Sequence, residues 1–217
     1  MRVRSVAAVA FLSIVTLGMD LDCRNKDEDG AADRLVEGQR LPRALANRLR
    51  DAGWPGRAGD ELGLWVSARR QRLFGIQSEK VVFTCVCSTA EKGLGNEANS
   101  FQTPPGWHEI DERIGVGAPL GTVFVERKPT GRIWKPGEAK EKDYVLTRIL
   151  WLRGLEPGKN AGPGVDSHDR YIYIHGTPAE HRLGTPASMG CIRLSNADVV
   201  ELFDHTRKGT PVLITEW

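Results

Sequence analysis

No internal repeat runs through these 217 residues, and neither sign of charge is in excess: 30 Lys and Arg stand against 28 Asp and Glu, a net of +2. So small an imbalance leaves no electrostatic footprint for nucleic acid, and none is expected as a partner. Metal-site spacing is equally scarce. His108, His168 and His205 fall in no His-Glu-x-x-His arrangement, and the Cys85-x-Cys87 pair has neither a second cysteine pair nor a nearby histidine to complete a ligand set. No metal or cofactor is expected. A disulfide within Cys85-x-Cys87 would be strained, because strand geometry holds the two side chains too far apart. The pair shares one face of its strand and is read as core packing.

What is present points to turns and strands. Twenty-four glycines and twelve prolines favour β-structure with long loops over a helical bundle, and 40% hydrophobic with 27% charged residues is ordinary for a soluble domain. The first segment is of another kind. Met1-Arg2-Val3-Arg4 is a short basic head, and Ser5 to Met19 is almost wholly apolar, a length that suits a secretory core and is short for a membrane span. Residues 1–19 are therefore expected to be a signal peptide or N-terminal anchor, with the protein exported to the periplasm or cell envelope. Thr16-Leu17-Gly18 offers cleavage after Gly18. Cys23 invites lipidation, but Leu21 and Asp22 stand where small residues are wanted. The abrupt change to Asp20, Asp22, Arg24, Lys26, Asp27, Glu28 and Asp29 argues against a buried first helix.

Residues 20–59 read as a charged linker with one short helix. Leu41, Leu45 and Leu49 recur every fourth position with Pro42 near the start, which predicts a helix packed on the outside of the domain. The domain proper is expected over 60–217. Leu62, Leu64 and Val66 alternate with Gly63, Trp65 and Ser67 as in a half-buried strand, and strands follow at Leu73–Ile76 and Val81–Cys87. Thr122–Glu126 and Tyr144–Leu152 are strand-like, with an exposed polar excursion over Arg127–Asp143 between them. Near the end, Ser195 and Asp198 form a capping box for a helix that buries Val199, Leu202 and Phe203, and Pro211–Ile214 is a last strand.

One stretch carries the chemistry. Tyr171-Ile172-Tyr173-Ile174 is an apolar strand that delivers His175 followed by Gly176, and after a polar loop the chain returns as Ser188-Met189-Gly190-Cys191-Ile192-Arg193. The thiolate is the reactive form of cysteine, and an unperturbed thiol is mostly protonated at neutral pH, so a neighbouring imidazole is the usual activator. A lone cysteine is more often a small hydrophobe and a lone histidine structural. Here the glycine flanks and the strand-end histidine favour a nucleophile–base pair.

The same residues resemble the signature of the YkuD-type L,D-transpeptidases: His-Gly at a strand end, then Ser/Thr-His-Gly-Cys about fifteen residues on. Ser88-Thr89, Thr103-Pro104-Pro105-Gly106 and the Thr147–Leu152 strand add to the resemblance, which spans about Leu62 to Ile214. It implies a mainly β fold, a β-sandwich of mixed short strands with a few short helices. The implied enzyme acts on peptidoglycan stem peptides. Cys191 would attack the carbonyl of the third residue of a donor tetrapeptide, D-Ala would leave, and an acceptor amine (a stem peptide, or a lysine of an outer-membrane lipoprotein) would resolve the thioester.

His175 would be the base, oriented by the Gly176 carbonyl, while Ser188, Gly190 and Cys191 shape the oxyanion site. Arg193 would hold a substrate carboxylate or brace the turn, with Tyr173 and Met189 on the substrate side. Carbapenem sensitivity is implied as well. Met189 departs from the family pattern, which has histidine there, and methionine can neither donate to an oxyanion nor relay a proton. His181 in the intervening loop is one candidate replacement. Two further readings stay open: a hydrolase using water in place of the amine, and a catalytically silent wall-binding module.

Overall fold

The computed structural model describes residues 35–54, 60–138 and 143–217. The expected export segment over 1–19 and Cys23 lie outside those residues. In chain order the elements are α1 (Arg43–Asp51), β1 (Gly63–Ser67), β2 (Arg72–Gln77), β3 (Lys80–Val86), β4 (Gly106–Ile114), β5 (Thr122–Val125), β6 (Lys128–Ile133), β7 (Val145–Gly154), β8 (Tyr173–Gly176), a 3-10 turn (Glu180–Arg182), β9 (Ile192–Leu194), α2 (Asn196–His205) and β10 (Pro211–Thr215). Among the described residues no helix is long and apolar enough to cross a membrane.

The fold is mainly β and mixed, as expected, and its strands are joined in one hydrogen-bonded network. The order is β3-β2-β1-β10-β4-β7-β5-β6, with β8 on β7 and β9 on β8. The ten-residue β7 is the reason. It pairs along one edge with β4 and β5 and along the other with β8, so Ile149 has both Ile114 and His175 as partners. Of the strand pairs among the described residues, only β1–β10 and β8–β9 are parallel. The network wraps a core to which β1 gives Leu64 and Val66, β7 Leu150 and Leu152, β8 Ile174, and α2 Val199, Leu202 and Phe203.

Two expectations need correction. Strand β1 is buried on both faces, not one, because α1 covers the face that carries Trp65. Burial of Leu45 and Leu49 on that side contributes roughly 1.5–3 kcal/mol per side chain. Strand β4 was not foreseen at all. Its second half, Glu109-Ile110-Asp111-Glu112-Arg113, is too polar to read as a strand, and a register shift between Ile110 and Glu112 breaks its alternation. Within the polar excursion, Lys128–Ile133 is exposed as expected but forms β6, paired with β5 at the sheet edge.

Helix α2 starts where the capping residues placed it, the Ser195 hydroxyl accepting from the Asp198 N–H at 3.0 Å. Cys85 and Cys87 are in the core, free and 5% and 0% exposed.

Candidate active site

Side chains alternate along a strand, so burying Ile174 in the core turns Tyr173 and His175 to the opposite face of β8. On that face His175 stands beside Ile149, and Tyr173 beside Trp151. Parallel pairing of β8 with β9 sets Ile174 against Ile192 and His175 against Arg193. Cys191, one residue before β9, therefore arrives next to Tyr173. The Tyr173 N–H donates to its Sγ at 3.4 Å, and its S–H donates to the Tyr171 carbonyl at 3.4 Å.

The turn that presents Cys191 is held from two sides. Ser188 Oγ donates to the Cys191 carbonyl at 2.5 Å and accepts from the Gly190 N–H at 3.2 Å. Thr103 Oγ1 donates to the Gly190 carbonyl at 2.9 Å and accepts from the Ala90 N–H at 2.9 Å. Gly190 has φ +130°, and a Cβ there would come within 3.2 Å of Ile172 Cδ1. Both the backbone angle and the space call for glycine.

His175 is 2% exposed, and burial lowers its pKa, so the ring is neutral near pH 7. Nδ1 lies 2.7 Å from the Gly176 carbonyl. A carbonyl can only accept, which puts the proton on Nδ1 and leaves the Nε2 lone pair open. Burial likewise pushes the half-buried Cys191 thiol up to about 11, against the pull of the Tyr173 N–H. Thiol and imidazole are both uncharged at rest.

Both residues line one cavity of about 440 Å³, with Phe101, Asp143, Arg170, Tyr171 and Met189. Met189 is 63% exposed at its edge. Arg193 turns away: it is 4% exposed and ion-paired to Asp143, and its backbone exchanges two 2.9 Å hydrogen bonds with Ser88. That geometry braces the turn and leaves no guanidinium face for a substrate. His181 sits on the 3-10 turn and lines a different cavity, with Leu120, Trp134 and Asn196, so it does not take the place of the histidine that Met189 displaces.

Three contributors were not foreseen. Arg170 lines the cavity and donates to the carbonyls of Gly95, Asn96 and Gln102 and to Ser100 Oγ, tying down the loop that carries Phe101. Asp143 comes from the far end of the polar excursion. Thr103 was read only as part of the Thr103-Pro104-Pro105-Gly106 segment that adds to the resemblance. None of these has a local pattern, since each acts on residues far away in sequence. The structure also gathers Asp111, Glu112 and His168 so that one ligand atom of each lies within 4.8 Å of the others. Asp111 there is already met by Lys208 at 3.2 Å and Arg153 at 3.8 Å.

The family model for the YkuD L,D-transpeptidase catalytic domain matches residues 62–214. The chain belongs to this family. It is 37% identical over 129 residues to the probable L,D-transpeptidase ErfK/SrfK of Salmonella typhimurium, a match covering 55% of this chain and 42% of the relative. The putative L,D-transpeptidase YqjB of Bacillus subtilis is 51% identical over 49 residues, 22% of this chain and 28% of that one. The chain thus spans less than half the length of either relative. L,D-transpeptidase 3 from Mycobacterium tuberculosis, solved with a faropenem-derived adduct, superposes on 71% of this chain and 60% of its own at a TM-score of 0.46 and 14% identity.

Proposed function

We propose that this domain is a peptidoglycan L,D-transpeptidase that uses Cys191 as nucleophile and His175 as base. One observation carries the reading: the fold brings a thiol and a neutral imidazole with an open Nε2 into one cavity, the imidazole oriented by its neighbour's carbonyl. In the first step the S–H turns from the Tyr171 carbonyl to Nε2, and the proton passes as sulfur attacks the carbonyl of the third stem residue. Charge develops on the carbonyl oxygen. The Gly190 N–H is engaged by Ser188, so the Cys191 N–H is the oxyanion donor in this scheme. The imidazolium then protonates the departing D-Ala nitrogen, leaving a thioester. An acceptor amine gives its proton to His175, attacks the thioester and regenerates the thiol.

The neutral resting pair suits this order. A thiol held near 11 is almost wholly protonated at neutral pH, so nucleophile and leaving-group acid are set by one proton that shuttles through His175. The substrate lies outside the cytoplasm, and the apolar segment over 1–19 supports export. Carbapenems, as acylating analogues, are expected to modify Cys191.

The test is to incubate the protein with a purified disaccharide-tetrapeptide and read the products by mass spectrometry beside Cys191→Ala and His175→Ala. A dimer lacking one D-Ala, absent from both variants, is the expected result. Tripeptide alone would mean that water is the acceptor. No product from folded, reduced protein would overturn the enzyme reading.

A further inference from the structure

The donor in this reaction carries a free carboxylate one residue beyond the scissile carbonyl, yet the cavity walls offer it little. Asp143, Asp166 and Asp169 line the cavity. Arg170 directs its N–H groups to three carbonyls and a hydroxyl, and Arg193 is paired with Asp143. Both are engaged already.

Arg127 is differently placed. It occupies the two-residue turn between β5 and β6, where Glu126 and Arg127 have φ +48° and +66°. Neither is glycine, although such a turn favours it, and strain of this kind is kept where the surroundings enforce it. The guanidinium lies 4.7 Å from the centre of the Trp151 ring and 4.9 Å from that of Tyr171, and Nη1 donates to the Tyr173 hydroxyl at 3.3 Å. Two rings and a phenol thus set the plane of the fork. Among the described residues no carboxylate pairs with it, and Nη2 and Nε make no hydrogen bond. The residues holding it are those of the site: Tyr171 and Tyr173 line the cavity, Tyr173 gives its N–H to Cys191 Sγ, and Cys191 packs against the cluster that contains Trp151 and Tyr173.

We infer that Arg127 is a specificity-determining residue that receives a substrate carboxylate through its unengaged N–H groups. The inference rests on the transpeptidase reading of the site. The carboxylate has two sources, the C-terminus of the leaving residue or a carboxylate on the side chain of the third residue, and the guanidinium fork suits either. Lys92, over the Phe101 ring at 5.0 Å, is another cation beside the cavity. Among the described residues its ammonium has no polar anchor, and it serves as the control.

The experiment measures kcat/KM for wild type, Arg127→Gln, Arg127→Lys and Lys92→Gln on three donors: the native acid, its C-terminal amide, and one lacking any carboxylate on the third side chain. Arg127→Gln is expected to lose about tenfold on the native acid and nothing on the donor that lacks the recognised group, with Arg127→Lys in between. Whichever donor escapes the loss names the source. Equal losses on all three donors, or the same donor-dependent loss in Lys92→Gln, would overturn the inference.

Alkylation of Cys191 by iodoacetate and iodoacetamide, with Cys191→Ala as blank, reads the same contact without turnover. Arg127→Gln should lower the iodoacetate rate several-fold while leaving iodoacetamide unchanged, and an unchanged ratio would overturn it. If wild type turns over no donor, the enzyme reading fails and the alkylation ratio still decides the inference.

Discussion

His108 and His175 are chemically near-twins. Each is buried, each rests its Nδ1 on a glycine carbonyl (Gly106 at 3.0 Å, Gly176 at 2.7 Å), and each has its pKa lowered by burial, His108 to about 4. They differ at the other nitrogen. His108 Nε2 accepts from Ser167 Oγ at 2.9 Å, while His175 lines a solvent-reaching cavity beside a thiol. The cysteines repeat the contrast. Burial raises the pKa of Cys85 and Cys87, as it does that of Cys191, but of these three described cysteines only Cys191 lines the cavity. Titration shift and burial do not mark the site here. An unspent valence facing a cavity does.

The strongest way to break this comparison is to exchange the two histidines' fates. His175→Ala should cost about 10²–10⁴ in turnover with the fold intact, whereas His108→Ala should leave turnover per folded molecule unchanged. Comparable losses in both would show that the cavity does not distinguish them.

Reactivity should separate the thiols nearly as widely. In the native protein Cys191 should be alkylated at least about a thousandfold faster than Cys85 or Cys87, which must await opening of the core. The Cys191 rate should keep rising with pH toward about 11, with no plateau near 8. Peptide mapping by mass spectrometry reads both.

Stability reports on the silent histidine. His108→Ala leaves a cavity and an unpaired Ser167 hydroxyl, and should cost about 2–4 kcal/mol in denaturant unfolding. The pH dependence carries a definite sign. His108 binds a proton near 6.5 when unfolded and only near 4 when folded, so its stabilising share is present above 6.5 and lost as pH falls toward 4. The loss amounts to about 3 kcal/mol. His108→Gln should remove that part of the slope and leave the share of His175, whose shift has the same sign.

The smallest effect is expected at Met189. It is exposed, so Met189→His should change stability by less than about 0.5 kcal/mol. A change in turnover of only a few-fold would confirm that the proton relay runs through His175 alone. Muropeptide kinetics would show it.

Much of this was legible before any coordinates. The apolar run before His175-Gly176 read as a strand, although that strand is Tyr173–Gly176, with Tyr171 in the turn before it and His175 inside it, and Ser195 with Asp198 marked the start of α2 to the residue. What escaped was whatever depends on partners far away in sequence. Strand β4 is too polar to read as a strand because its neighbours β7 and β10, not its own alternation, hold it in place. Whether Arg193 holds a substrate carboxylate or braces the turn could not be read locally, because its partner Asp143 lies fifty residues away.

The sequence by itself determined the elements that announce themselves by period or by backbone need: β1, β3, β7, α2 and the glycine turn before Cys191. Side-chain periodicity and the φ of Gly190 are local properties, written in adjacent residues. Only the tertiary structure decided which imidazole nitrogen is spent, which cation is paired and which thiol meets solvent. Those outcomes depend on what stands across a few ångströms of space, and in this sheet the answering residues lie tens of positions away along the chain.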